Sequence, residues 1–99
     1  MNSLTVLVPF FNEEKTLHES VSRLLSLDIF NEIILINDSS NDKSPLIADE
    51  LEKQNRNIIL VSTKQNLGKG GALNYAKNLI SSDFVVIHDA DLEYYPRDI

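Results

Sequence analysis

The segment Ile33-Ile34-Leu35-Ile36-Asn37 decides the fold. Its four consecutive apolar residues predict a strand whose two faces are both buried. Such a strand belongs inside a parallel sheet that is covered by helices on both faces, whereas strands of antiparallel sheets commonly alternate apolar and polar residues. The segment therefore predicts an α/β fold.

Strand and helix patterns alternate on both sides of this segment. Further apolar runs predict strands at residues 4–8, 57–61 and 84–87. Helical spacing of apolar residues predicts one helix that opens at 12–14, a second that starts at 44 and a third over 72–80. Because a strand closes the alternation, we expect a sheet of four parallel strands joined by right-handed crossovers. The expected strand order is 3-2-1-4, in a three-layer, Rossmann-like α/β/α arrangement.

The composition limits the classes of function. The chain has 99 residues, 42% of them hydrophobic, and its 9 basic and 15 acidic residues give a net charge of −6. This acidity argues against binding to a nucleic-acid backbone, and it is compatible with a site that uses a cation. The chain has no cysteine, which excludes disulfides and thiolate metal sites.

The amino-terminal segment gives an expectation about location. It lacks a basic region, and its apolar run breaks at Pro9, so it does not resemble a signal peptide. No apolar stretch approaches the length that spans a membrane. We therefore expect a cytoplasmic protein, or one at the cytosolic face of a membrane.

Polar clusters follow each predicted strand. They occupy residues 12–14, 37–42, 66–70 and 89–93. In open α/β sheets, ligands bind outside the carboxyl ends of the strands. The coincidence of all four clusters with such ends predicts a functional site at this edge of the sheet.

The cluster Asp89-Ala90-Asp91-Leu92-Glu93 places three carboxylates at alternate positions. Alternate residues of an extended segment point to one side, and oxygen ligands suit Mg²⁺ or Mn²⁺, which in turn binds a diphosphate. The alternative is a solvated acidic turn. The preceding His88 is better explained as a structural histidine than as a metal ligand.

The segment Asn66-Leu67-Gly68-Lys69-Gly70-Gly71 has two interpretations. Its N–H groups and a helix N-terminus could face an anion, with Lys69 as a phosphate partner, or its glycines could only form a tight turn. A P-loop is excluded, because that motif needs glycine at the position of Thr63. A dinucleotide fingerprint is excluded, because it needs glycine at the position of Leu73.

Single polar residues complete the predicted site. Asp38 ends the second strand, where its carboxylate could accept hydrogen bonds from a base or a ribose, or form an Asx-turn or helix cap. Asp42 fits the turn or cap better. Asn12 is predicted to cap the first helix, and Glu13 or Glu14 could contact a ligand or favour the helix dipole.

Together the clusters resemble the amino-terminal half of a glycosyltransferase family 2 domain with the GT-A fold. The subgroup that they resemble most is the polyprenyl-phosphate sugar synthases, such as dolichol-phosphate mannosyltransferase. The matching stretches are Val6-Leu7-Val8-Pro9-Phe10-Phe11-Asn12-Glu13-Glu14, Ile36-Asn37-Asp38-Ser39-Ser40-Asn41-Asp42, Asn66-Leu67-Gly68-Lys69-Gly70-Gly71-Ala72 and Asp89-Ala90-Asp91-Leu92-Glu93-Tyr94.

The resemblance implies a role for each stretch. The nucleoside pocket would be lined by Pro9, Phe11, Asn12 and Glu13, and Asp38 would contact the base. The segment Gly68, Lys69, Gly70 would lie against the ribose and diphosphate. Asp89 and Asp91, with Ala90 between them, would lie at the diphosphate, and Asp89, Asp91 and Glu93 would hold the Mn²⁺ or Mg²⁺.

The implied reaction transfers a sugar, with inversion, from a UDP- or GDP-sugar to a polyprenyl phosphate or a saccharide. This chain departs from the family pattern at Asn37, where an aspartate is common. Residues 1–99 match only the donor-binding part of the domain, so the general base is expected beyond Ile99 and no catalytic base within the chain. The alternative is a non-catalytic nucleotide-sugar binding module or an enzyme fragment. A phosphoacceptor signalling domain is excluded, because it needs an acidic pair directly after the first strand.

The fourth strand predicts self-association. If it pairs with the first strand, its other side lacks a neighbour, and residues 84–87 carry no charge that would prevent pairing with another chain. We therefore expect a homodimer through this edge.

Overall fold

The computed structural model describes residues 3–80, 82, 84–88 and 90. Strands and helices alternate, and a short 3-10 turn, Lys77–Leu79, follows the third helix. No helix among the described residues is long and apolar enough to cross a membrane. The elements are β1 (Leu4–Phe10), α1 (Leu17–Leu27), β2 (Glu32–Asn37), α2 (Ser44–Gln54), β3 (Ile58–Ser62), α3 (Gly68–Ala76) and β4 (Phe84–Ile87).

The four strands form one parallel sheet in the order β3-β2-β1-β4. The register pairs Val8 of β1 with Leu35 of β2, and Leu35 with Leu60 of β3. The predicted fold class and strand order are therefore confirmed. Because the strands are parallel, the ends of β1, β2 and β3 lie side by side at one edge of the sheet.

The two faces of β2 separate two apolar layers. Ile33 and Leu35 pack with α1 and α2 on one face, while Ile34 and Ile36 pack with α3 on the other face. All four side chains have 0% exposure. Burial of each contributes roughly 1.5–3 kcal/mol, so this one strand accounts for much of the core of a small domain. The three-layer prediction is confirmed.

Strand β1 is longer than predicted, because it continues through Pro9 to Phe10. In a parallel strand, successive residues direct their peptide groups to opposite neighbours. Phe10 accepts a bond from the N–H of Asp38 on the β2 side, and Leu7 accepts one from the N–H of His88 on the β4 side. Pro9 therefore faces the β4 side, so the ladder between β1 and β2 loses no N–H donor at this proline.

The first helix starts later than predicted. Asn12 does not cap it, since α1 begins at Leu17 and Asn12 adopts a left-handed φ of 55°. A turn precedes the helix, in which the Glu13 carbonyl accepts bonds from the N–H groups of Thr16 and Leu17 at 3.2 and 2.9 Å. The local pattern of an amide followed by two acids was thus misread as a helix start.

The other boundaries differ by smaller amounts. The pair Ser44-Pro45 favours Ser44 as the N-cap and Pro45 as the first helical residue. In the structure α2 begins at Ser44 itself, and Lys43 occupies the N-cap position. Strand β3 is shifted by one residue, to Ile58–Ser62. Helix α3 begins at Gly68 rather than at residue 72, so the glycine segment forms the first turn of the helix itself.

Candidate functional site

Asp38 joins three elements at the carboxyl edge of the sheet. It follows β2 directly, and its exposed fraction is 3%. Its Oδ1 accepts bonds from the Thr63 hydroxyl and from the Leu67 N–H, both at 2.9 Å. Its Oδ2 accepts a bond from the Gly68 N–H at 2.9 Å. The carboxylate therefore connects the ends of β2 and β3 with the start of α3.

This arrangement makes Asp38 a cap for α3. A negative charge at a helix N-terminus is favoured by the helix dipole and satisfies N–H groups that have no partner within the helix. The N–H groups of Leu67 and Gly68 belong to the segment that could face a bound anion according to the sequence analysis. In the structure they donate to Asp38. The helix-cap interpretation of Asp38 holds, although the capped helix is α3, and its contact with a base stays a prediction.

Gly68, Gly70 and Gly71 differ in whether the structure requires a glycine at the position. Gly68 has a φ of +76°, which side-chain-bearing residues adopt at a cost. A Cβ on Gly71 would lie 2.6 Å from the Cβ of Leu67, too close for either to stay in place. Among the described residues, a Cβ on Gly70 would meet nothing within 4 Å. The described part of the fold thus requires Gly68 and Gly71 but gives no reason for Gly70.

Asn12 fixes the loop that follows β2. Its Oδ1 accepts bonds from the N–H groups of Asn41 and Asp42 at 2.7 and 3.3 Å. Its own N–H donates to the Ser40 hydroxyl at 3.0 Å. Asparagine is one of the few residues that tolerate a left-handed backbone. Its conformation and its side chain therefore both serve to hold the loops after β1 and β2 together.

Asp42 and Ser44 continue this connection between the two loops. Asp42 Oδ1 accepts bonds from the Ser44 N–H and hydroxyl at 2.9 and 2.6 Å, which forms the predicted Asx-turn. The Glu14 N–H donates to Asp42 Oδ2 at 3.1 Å, and the Glu13 N–H donates to the Ser44 hydroxyl at 2.7 Å. Burial acts to raise the pKa of Asp42, but these bonds outweigh it, so its pKa lies below the ordinary value of 3.8.

Asn37 uses both halves of its amide group. Its Oδ1 accepts a bond from the Ser40 N–H at 2.9 Å, and its Nδ2 donates to the Ser62 hydroxyl at 3.3 Å. An ionised aspartate at this position could only accept. Asparagine in place of the common aspartate at position 37 therefore has a local explanation, because its Nδ2 donates to Ser62 at the end of β3.

The acidic segment after β4 is described only in part. Asp89, Asp91 and Glu93 lie outside the described residues, so their predicted metal site is not tested by the structure. Within the part of the chain that the structure describes, no group of three or more histidine, aspartate or glutamate residues could hold a metal ion.

The residues on either side of Asp89 in the sequence are described, and both are buried. His88 is 6% exposed, its N–H donates to the Leu7 carbonyl at 2.9 Å, and its Nε2 lies 3.0 Å from the Ser20 hydroxyl. The prediction of a structural histidine is confirmed. Ala90 is 3% exposed, and its carbonyl accepts a bond from the Thr16 hydroxyl at 2.7 Å.

Sequence reasoning missed Thr16 and Ser20. One available signal was the position of Ser20, since it lies with Leu17, Val21 and Leu24 on the buried face of α1. A hydroxyl on a buried face requires a hydrogen-bond partner, and His88 supplies it. Nothing in the local sequence marks Thr16.

The remaining predicted site residues lie at the same edge of the sheet. Pro9 is buried within β1, Phe11 directly after β1 is 41% exposed, and Glu13 is half-buried. Lys69 lies in the first turn of α3. An exposed aromatic ring beside a polar loop is suited to stacking on a planar ligand group.

Comparison with known proteins places this geometry in a family. The family model described as glycosyl transferase family 2 matches residues 5–99. The chain is 33% identical to the uncharacterized glycosyltransferase YaiP of Escherichia coli, over 96% of this chain and 24% of that protein. It is 35% identical to the poly-beta-1,6-N-acetyl-D-glucosamine synthase of Staphylococcus aureus, over 92% of this chain and 22% of that protein. The chain thus spans about a quarter of the length of these curated relatives.

Solved structures of GT-A glycosyltransferases share the fold. The mannosyltransferase PcManGT of Pyrobaculum calidifontis, in complex with GDP-Man and Mn²⁺, gives a TM-score of 0.84 at 27% identity, over 91% of this chain and 28% of that one. S. aureus TarS in complex with UDP gives 0.79 at 26% identity, over 90% and 27%. The glucosyl-3-phosphoglycerate synthase of Mycobacterium tuberculosis, with Mn²⁺, UDP-Glc and phosphoglyceric acid, gives 0.75 at 28%, over 90% and 33%. The match over residues 5–99 and these likenesses show that the chain belongs to glycosyl transferase family 2.

Proposed function

We propose that this chain binds the nucleotide diphosphate sugar, a UDP- or GDP-sugar, from which a glycosyltransferase transfers the sugar. The observation that carries the proposal is the convergence of linked polar loops at one edge of the sheet. Asp38 joins β2 to α3, Asn12 joins the loops after β1 and β2, and Thr16 joins α1 to Ala90. Solved relatives in complex with GDP-Man, UDP-GlcNAc and UDP-Glc support the class of ligand.

The described residues suggest how the nucleoside is held. Phe11 offers an exposed ring next to the interlocked loops, and Pro9, Asn12 and Glu13 border the same region. No described residue lies where a Cβ on Gly70 would be, which supports a close approach of the ligand to the backbone there. Asp38 is proposed to contact the base in addition to capping α3.

The divalent ion is proposed to be held by Asp89, Asp91 and Glu93. Carboxylate oxygens are the donor set that Mg²⁺ and Mn²⁺ prefer, so the residue types fit the ion. Two of the solved relatives are complexes with Mn²⁺. When bound, the ion supplies positive charge that stabilises the departing nucleoside diphosphate.

The acceptor and the stereochemistry are proposed on the resemblance alone. We propose an inverting transfer to a polyprenyl phosphate, as in the dolichol-phosphate mannosyltransferase subgroup, or to a saccharide, as the name of the S. aureus polysaccharide synthase indicates for that relative. The cytoplasmic or cytosolic-face location also stays a prediction.

The change of Asp91 to asparagine tests the metal site. Removal of one charged ligand is expected to weaken Mn²⁺-dependent binding of GDP or UDP at least about tenfold, or about 1.4 kcal/mol. Calorimetric titration of the chain with UDP, GDP and their sugars, with and without Mn²⁺, measures the effect. Asp28→Asn removes the same charge at the carboxyl end of α1 and is expected to bind as the wild type does. Equal affinities of Asp91→Asn and the wild type in Mn²⁺ would exclude the assignment.

We also propose a homodimer through β4. This strand is at the edge of the sheet as described, and all four of its apolar side chains are exposed, from 39% to 54%. Light scattering is expected to show a dimer at high concentration and a monomer for Val86→Lys, since a lysine on an edge strand opposes pairing. Ile59→Lys, on the opposite edge strand β3, is the control that should still dimerise. A wild-type chain that stays monomeric at all concentrations would contradict the proposal.

A further inference from the structure

We propose that Thr16 is a positioning residue for the acidic segment 89–93. The inference rests on the proposed function, because it concerns how the chain prepares its metal ligands. The Thr16 hydroxyl donates to the carbonyl of Ala90, which lies between Asp89 and Asp91 in the sequence, at 2.7 Å. This bond restrains the backbone of Ala90, the residue between the two proposed metal ligands.

The position of Thr16 in its own helix supports this role. Thr16 occupies the N-cap position of α1, where a threonine hydroxyl usually accepts a bond from the first N–H groups of the helix. It makes no such bond. The hydroxyl instead donates to the carbonyl of Ala90, 74 positions away in the sequence. The N-cap side chain of α1 is thus used for a contact with Ala90 and not for capping the helix.

A second hydroxyl on the same side of α1 fixes the other neighbour of Asp89. Ser20 lies one helical turn after Thr16, and residues four apart in a helix share one face. Its hydroxyl lies 3.0 Å from Nε2 of His88, and the His88 N–H is bonded to β1. Ala90 is also packed in the apolar core, so both sequence neighbours of Asp89 are bonded to or packed against the described fold.

The Thr16 hydroxyl also lies 3.1 Å from Oε2 of Glu13. A hydroxyl carries one proton, and the shorter distance, to the Ala90 carbonyl, marks that carbonyl as its main acceptor. Glu13 belongs to the proposed nucleoside pocket. Thr16 therefore contacts both a residue of the proposed pocket and Ala90, through which it is proposed to set the position of one relative to the other.

A segment that is held before its ligand arrives loses less conformational freedom on binding. Loss of the Thr16 hydroxyl is therefore expected to weaken the binding of GDP and UDP more in the presence of Mn²⁺ than in its absence, so that the gain in affinity from Mn²⁺ falls. Thr16→Val keeps the shape of the side chain and removes the hydroxyl. We expect the gain from Mn²⁺ to fall about fivefold to tenfold, as for one lost hydrogen bond.

Titration calorimetry with GDP and UDP, with and without Mn²⁺, separates this role from a purely structural one. Thr16→Ser retains the donor and is expected to restore the gain from Mn²⁺. Ser26→Ala is the matched control, because Ser26 also donates a 2.7 Å bond from a hydroxyl of an α1 residue to a carbonyl, that of Arg23. Thermal denaturation reports whether each variant folds, and Thr16→Ala replaces Thr16→Val if the valine variant does not.

Three results would overturn the inference. A Thr16→Val chain with the full gain from Mn²⁺ would show that the hydroxyl does not position the ligands. An equal loss of affinity with and without Mn²⁺ would show a structural role only. Absence of Mn²⁺-dependent binding in the wild type would overturn the proposed function itself, and the inference with it.

Discussion

Replacement of Asp38 by alanine is expected to lower the free energy of unfolding by about 3 kcal/mol. The substitution removes the 2.9 Å acceptor of the Thr63 hydroxyl and of the N–H groups of Leu67 and Gly68. Longer alternatives remain at 3.4 Å for the Thr63 hydroxyl and at 3.2 Å for the Gly68 N–H. Thr63 is buried, so water replaces its lost bond poorly. The charge at the N-terminus of α3 is lost as well. Urea denaturation followed by circular dichroism measures the change.

Two further variants make this test specific. Asp38→Asn retains one oxygen, so at least one donor loses its acceptor, and a smaller loss of about 2 kcal/mol is expected. Asp49→Ala removes an exposed carboxylate that pairs with Lys53 at 3.1 Å on the surface of α2, and it is expected to change the stability by less than about 0.5 kcal/mol. An Asp38→Ala chain as stable as Asp49→Ala would refute the capping role.

Alanine substitutions at two adjacent glycines of α3 are expected to have opposite effects on stability. Gly71→Ala places a Cβ 2.6 Å from the Cβ of Leu67, whose N–H is bonded to Asp38, and is expected to cost about 2 kcal/mol. Gly70→Ala meets nothing within 4 Å and is expected to stabilise the chain by about 0.5 kcal/mol, because alanine favours a helix over glycine. Thermal denaturation of the two variants measures both effects.

The same pair separates a structural glycine from one that contacts a ligand. If the donor diphosphate lies against the backbone at Gly70, the added methyl group is expected to lower the affinity for GDP and UDP in a chain that is more stable than the wild type. Full affinity of a stable Gly70→Ala chain would contradict the contact. A destabilised Gly70→Ala chain would instead contradict the open space around this residue.

The sequence was sufficient for the sheet because burial in strands has a local signature. The run Ile33 to Ile36 indicated a strand buried on both faces, and the alternation with helices then limited the strand order. The predicted start of α1 was wrong, because the contacts that determine the conformation of Asn12 are with residues distant in the sequence. Asn12 looks like a helix cap in its own segment, but its side chain bonds Asn41, 29 residues away.

The candidate site shows the same limit. The residue type at Asp38 was enough to place it in a polar site, whereas its partners Thr63 and Leu67 are 25 and 29 residues away and follow only from the folded geometry. Thr16 gave no signal at all, because a single threonine before a helix has many ordinary uses. The roles of Asp89, Asp91 and Glu93 stay predictions, since these residues lie outside the described part of the chain.

The capping of α3 by Asp38 has a thermodynamic consequence for ligand binding. The first N–H groups of a helix commonly attract a phosphate, but here those of Leu67 and Gly68 already hold an internal anion. On a chain of net charge −6, the proposed diphosphate would meet repulsion at this edge of the sheet, which the proposed cation would offset. We therefore expect the proposed nucleotide and divalent ion to be positively coupled, each raising the affinity of the other by the same factor.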